Sequence, residues 1–180
     1  LVRGADGKTL LELIQRLGFV QIDSINVLER AHHLTLRSRM ETYRPNLLRE
    51  LLDRRLLFEH WTHDASLLPT TSLPYWRHRA SEYRQRVQRQ AWWRDRIGSD
   101  PEALMRRVLD EVRARGPVTS RDFVSDFKSG TWWGWKPEKT ALEYVWRSGD
   151  LSICSRQGFV KVYDLTERVF PEVMQQPVPT

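Results

Sequence analysis

The sequence predicts an α+β fold, mainly helical with short β-hairpins, in two tandem modules. Three observations predict it. Apolar residues recur at helical spacing in segments that stop at Gly18, Gly116 and Gly149, where glycine accepts the left-handed backbone that closes a helix. Short β-prone runs stand between these helices, Phe19 to Asp23 and Leu151 to Leu165. A break at Gly98-Ser99-Asp100-Pro101 supplies an N-cap followed by proline at a first helical position, which starts a new module.

Taken in order, Lys8 to Leu17 places Leu10, Leu13, Ile14 and Leu17 on one helical face. A short strand over Phe19–Asp23 follows, then helices over Ile25–Arg39 and Pro45–Leu56. Phe58–Leu68 reads as irregular or extended chain, and Tyr75–Ile97 as a long arginine-rich helix, a solvated linker in its plainest reading. In the second module, Pro101–Arg115 is a helix stopped by Gly116-Pro117. Thr119 or Ser120 caps a short helix through Phe127. Lys136-Pro137 opens a third helix carrying Ala141, Leu142, Val145 and Trp146 on one face. Strands Leu151–Arg156 and Phe159–Leu165 then meet at Gln157-Gly158, a hairpin signal because glycine accepts the positive φ of the turn. Helix, short helix, helix, hairpin is the order of a winged helix-turn-helix module. The expected organisation is a winged-helix-like module with its linker helix over 1–97, a second winged helix over 98–170, and a tail over 171–180.

Composition narrows the partners. Hydrophobic residues at 40% and charged residues at 29% exclude a disordered chain. No apolar run reaches the roughly 18 residues of a membrane span, and no signal peptide opens the sequence. Lys plus Arg outnumber Asp plus Glu by 29 to 23, for a net charge of +6. Arginine dominates, and its planar fork suits phosphate and base stacking, although a solvated basic surface gives the same charge. The single Cys154 excludes an internal disulfide and a thiolate zinc site, and fits a reducing cytoplasm. The chain begins at Leu1 and ends in Pro177-Val178-Pro179-Thr180, which reads as a fragment.

The chemistry centres on Gln21-Ile22-Asp23. In a strand, residues i and i+2 share a face, so Gln21 and Asp23 project together while Val20 and Ile22 turn to the core. The plainer use of the same residues is Asp23 or Ser24 as an N-cap. His60, His63 and Asp64 could suggest a metal site, but the trio is local and lacks a distant fourth ligand, so no metal or cofactor is expected. Neither a phosphate loop, a dinucleotide fingerprint nor a nucleophile elbow occurs. Trp132-Trp133-Gly134-Trp135 can stack on unpaired bases or anchor a short loop.

These segments come in a distinctive company: Leu17-Gly18-Phe19-Val20-Gln21-Ile22-Asp23-Ser24-Ile25-Asn26-Val27, Arg30-Ala31-His32-His33-Leu34, Phe58-Glu59-His60-Trp61-Thr62-His63-Asp64-Ala65, Trp132-Trp133-Gly134-Trp135-Lys136-Pro137 and Val162-Tyr163-Asp164-Leu165-Thr166-Glu167-Arg168-Val169. In this order they resemble the AlkZ/YcaQ family of bacterial winged-helix DNA glycosylases over nearly the whole chain. Gln21-Ile22-Asp23 is similar to that family's Gln-Φ-Asp catalytic form. The resemblance implies a monofunctional DNA repair glycosylase acting on N7-alkylguanine-type bases, including crosslinks, with Gln21 and Asp23 catalytic. It also implies further modules beyond the second winged helix. Candidate DNA contacts are Arg37, Arg39, Trp61, His63, Lys136, Lys139, Arg156 and Lys161. Trp61 and His63 would line an open cleft, and the others would grip the backbone. Double-stranded DNA is the expected partner and a cytoplasmic monomer the expected state. The alternatives are a non-enzymatic winged-helix DNA-binding or regulatory protein, and a protein-binding tandem in which Gln21 and Asp23 only buttress.

Overall fold

The computed structural model describes residues 4, 6–23, 29–88, 100–123 and 137–177. The chain divides into two compact units, Leu1–Leu73 and Pro74–Thr180. The sequence places this division later, at Gly98–Pro101. The described part of the arginine-rich helix falls in the second unit, where Arg77 and Arg84 are bonded, and residues 89–97 lie outside the described residues.

In the first unit, helix α1 (Gly7–Leu17) opens on Asp6, whose carboxylate accepts the Thr9 N–H at 2.9 Å. It closes on Gly18 at φ 83°, whose N–H returns to the Ile14 and Gln15 carbonyls. Strand β1 (Val20–Gln21) follows, then α2 (Ala31–Arg37) and α3 (Pro45–Asp53). The helix expected over 25–39 is therefore shorter. Arg30 is extended at φ −68° and ψ 140°, so helix begins only at Ala31; residues 24–28 lie outside the described residues.

Phe58–Leu68, expected to be irregular or extended, is a hairpin: β2 (Leu57–Trp61) and β3 (Ala65–Pro69) pair antiparallel from Leu57↔Pro69 to Trp61↔Ala65. Its turn, Thr62-His63-Asp64, contains no glycine. Side chains close it instead, with the Asp64 carboxylate accepting the Ala65 N–H at 2.7 Å and Thr62 Oγ1 meeting Ser66 Oγ at 2.9 Å. Asp and Thr bonding to nearby backbone and side chains do the work usually signalled by Asn-Gly. The sheet order is β1-β3-β2. Its inner face supplies Val20, Leu57 and Leu67 to a core with Leu10, Leu13, Ile14, Leu36, Met40, Tyr43, Leu48 and Leu51.

The second unit contains α4 (Leu73–Gln88), α5 (Pro101–Arg115), β4 (Val118–Thr119), α6 (Pro137–Arg147) and the hairpin β5 (Leu151–Gln157) and β6 (Val160–Leu165). Two short helices end it, α7 (Thr166–Val169) and α8 (Pro171–Met174). Asp100 caps α5 by accepting the Ala103 N–H, and Gly158 turns the hairpin at φ 62°. The sheet order is β4-β6-β5. Both units thus repeat one plan, in which the first strand pairs with the last and the last with the middle one. Strand β4 carries no sequence signal, being two residues long. Arg84 ties α4 to this unit through Nε and Nη2 on the Ser148 carbonyl (3.1 and 2.7 Å) and Nη2 on Asp150 (2.9 Å). Thr119 and Asp122 exchange hydrogen bonds as at a helix start, Asp122 accepting both the N–H and the hydroxyl of Thr119. The rest of that expected helix, and the tryptophan loop, lie outside the described residues. No helix among the described residues is long and apolar enough to cross a membrane.

Candidate active site

The polar residues of Gln21-Ile22-Asp23 emerge at an open edge of the first sheet. Among the described residues β1 is an edge strand, paired to β3 through Val20↔Leu67 and Gln21↔Ser66. The pairing runs one residue further, since Ile22 N–H donates to the Ala65 carbonyl at 2.8 Å. Val20 is buried and Ile22 packs against the core, whereas Gln21 is exposed and Asp23 half-buried.

The hairpin turn brings two further groups to Gln21. Its Nε2 donates to Asp64 Oδ2 at 3.2 Å, and its Oε1 accepts from His63 Nε2 at 3.3 Å. A donor at one end and an acceptor at the other fix which way the amide faces. His63 also meets Phe19 edge-on, ring centroids 5.6 Å apart. Phe19, Gln21, His63 and Asp64 thus gather at one end of the sheet.

A second set of groups lies under Asp23. Its backbone N–H donates to His32 Nδ1 at 3.2 Å. An N–H can only donate, so Nδ1 carries the lone pair and the ring proton sits on Nε2. Burial, reinforced by His33 and Arg30, lowers the His32 pKa to about 4, with Asp23 and Glu29 opposing. His32 is therefore neutral near pH 7. The His33 ring lies 4.2 Å from that of His32, and its pKa too is lowered by burial. His33 Nδ1 meets the Tyr43 hydroxyl at 2.6 Å. Burial raises the Tyr43 pKa, so the phenol keeps its proton in this hydrogen bond. Sequence reasoning weighed Asp64 only as part of a local metal trio and passed over His32, His33 and Tyr43 as site groups. Only the double histidine Arg30-Ala31-His32-His33 offered a signal, and nothing local links it to Asp23 across the intervening residues.

The other candidates are dispersed. Trp61 ends β2, half-buried. Arg37 is exposed in the last turn of α2, and Arg39 bonds the Thr35 carbonyl and Ser38 hydroxyl just beyond it. In the second unit Lys139 is exposed on α6, while Lys136 lies outside the described residues. Arg156 holds the Phe159 carbonyl at 2.8 Å and lies over that ring. Lys161 is paired inside its unit, with Nζ 2.7 Å from Glu143 Oε1 and 3.9 Å from the centre of the Trp146 ring. The Val162–Val169 segment is structural in these contacts. Tyr163 donates to Glu143, Thr166 to the Gly149 carbonyl, and Arg168 to the Val112 and Arg113 carbonyls that end α5. His60 is buried beside Phe58 while His63 is exposed at the turn. Among the described residues no three His, Cys, Asp or Glu side chains group as metal ligands.

Two small α+β units on one repeated plan, the first with an exposed amide–imidazole–carboxylate cluster beside Asp23, define the class of protein. A model of the family described as DNA glycosylase AlkZ-like matches residues 14–180, and the chain belongs to that family. No solved structure matches it.

Proposed function

We propose that this chain carries a hydrolytic, monofunctional DNA glycosylase centre in which Gln21 and Asp23 release N7-alkylguanine-type bases from duplex DNA. The observation that carries this reading is Gln21 held between His63 and Asp64 at the end of strand β1, two residues before Asp23. Alkylation at N7 makes guanine cationic and already a good leaving group, so departure needs little help from a general acid. What the reaction needs is stabilisation of the positive sugar and a positioned water. The Asp23 carboxylate supplies the first by electrostatics and activates the water as general base. Gln21 has two amide hydrogens and two oxygen lone pairs. His63 and Asp64 engage one of each, which leaves one donor and one acceptor to hold that water. No lysine adjoins the pair in sequence, which favours hydrolysis over a Schiff-base step.

An exposed Gln21 beside an exposed His63 also suits lesions too bulky for a closed pocket, crosslinks included. Each unit is read as a winged helix-turn-helix module. The first has helix, strand, two helices and a hairpin, its first strand bonded to its last; the second has helix, strand, one helix and a hairpin from α5 to β6 among its described residues, its first strand likewise bonded to its last. Arg37, Arg39, Trp61, His63, Lys136, Lys139 and Arg156 are proposed to contact DNA, the cations mainly through phosphates. Lys161, already neutralised by Glu143, serves the fold.

The test is release of free 7-methylguanine from a methylated duplex by the chain and by Asp23→Asn. Release that drops about a hundredfold or more in the variant while DNA affinity holds supports the reading, that being the scale of a lost general base. Equal release from both excludes Asp23 as the reacting carboxylate. Tight, salt-sensitive DNA binding with no release by the wild type favours the non-enzymatic DNA-binding alternative.

A further inference from the structure

We propose that His32 is a positioning residue for the reaction, the side chain that holds the backbone of Asp23 so that its carboxylate faces the reacting sugar. The inference rests on the reading of Asp23 given above.

Successive N–H groups of a strand point to opposite edges. Ile22 N–H is taken by β3 through Ala65, so Asp23 N–H points to the open edge of the sheet. An edge N–H ordinarily goes to water or to another strand. Here it goes to His32 Nδ1 at 3.2 Å, on a residue only 7% exposed. Ile22 and Asp23 are thus pinned from opposite sides, one by the sheet and one by α2. This fixes the peptide between them, and with it the direction in which Asp23 leaves the strand. The support reaches into the core: the His32 ring lies against that of His33, tilted by 51°, and His33 bonds to Tyr43, which is 0% exposed. Pre-organisation of this kind matters because a reacting group displaced by about 1 Å can lose a hundredfold in rate.

The experiment compares His32→Asn, His32→Gln and His32→Leu in the whole chain. Asn places its amide oxygen where Nδ1 stood, Gln carries its oxygen a bond further out, and Leu has no acceptor. Two readouts are taken: single-turnover release of 7-methylguanine with DNA affinity measured alongside, and hydrogen exchange at the Asp23 amide. Leu and Gln are expected to slow release about tenfold or more at unchanged DNA affinity and to speed Asp23 amide exchange by a similar factor. Asn is expected to recover at least about fivefold of both. A folded Leu or Gln variant that releases base at the wild-type rate overturns the proposal. So does an Asn variant no better than Gln, a comparison that stands even where Leu does not fold. If Asp23→Asn releases base normally while Asn and Gln at position 32 still differ in Asp23 exchange, the chemistry assigned to Asp23 fails and the backbone clamp stands.

Discussion

Acidification is expected to weaken the fold through His32, by an amount the structure sets. In the native state His32 accepts the Asp23 N–H at Nδ1 and is held neutral down to about pH 4, whereas its ordinary pKa is 6.5. The unfolded chain therefore binds a proton that the native state refuses between these two values. Stability rises with pH wherever the unfolded state holds more protons, so it is lost as pH falls from 6.5 towards 4 and is flat in this group below that. The loss is about 1.4 kcal/mol per pH unit inside the window, which amounts to about 2 kcal/mol near pH 5. The groups that set the shift are His33 and Arg30, which add to the effect of burial, and Asp23 and Glu29, which oppose it. His33 titrates in the same direction, so the wild-type slope alone does not isolate His32. The comparison is urea unfolding of wild type and His32→Asn at pH 7 and pH 5. Asn keeps an acceptor for Asp23 and cannot be protonated, so its loss on acidification is expected to be smaller by about 2 kcal/mol. Equal losses in the two proteins would refute the assignment of His32 as the neutral acceptor.

Three other perturbations test separate parts of the structure. Asp64→Asn weakens the acceptor that orients Gln21 Nε2, so release of 7-methylguanine should fall about threefold to tenfold with DNA affinity unchanged, on the scale of one weakened hydrogen bond to a charged group; single-turnover kinetics measures it. Leu51→Ala empties a fully buried position in the first core and should cost about 2–5 kcal/mol, read by chemical denaturation. Gly18→Ala meets no atom within 4 Å but must adopt φ 83°, so the expected loss is backbone strain of about 1 kcal/mol, visible as a lowered melting temperature.

The boundaries of the well-signalled elements were legible because single residues specify them. Asp6 and Gly18 bracket α1, Asp100 and Gly116 bracket α5, and Gly158 turns the last hairpin, each by local backbone chemistry. The Phe58–Leu68 hairpin was less legible, since its turn is closed by the Thr62 and Asp64 side chains and no glycine marks it. Strand β4 left no mark at all: two residues owe their state to the partner strand β6, not to their own propensity.

The same division runs through the site. The strand at Gln21 was readable because strand propensity is a property of neighbouring residues, but it is only Val20–Gln21, shorter than the expected Phe19–Asp23, and Asp23 follows it. Its surroundings were not. Asp64 and His63 reach Gln21 only because β1 pairs with β3, the strand that leaves the turn carrying them. His32 reaches Asp23 only because the fold brings α2 and the residue after β1 together. The sequence by itself determined the ends of α1 and α5 and the second hairpin, consequences of contacts a few positions apart, while the pair proposed to react came from the resemblance to a family. The tertiary structure alone decided which side chains clamp that pair, because hydrogen bonds spanning 9 and 43 positions depend on how strands and helices are brought together.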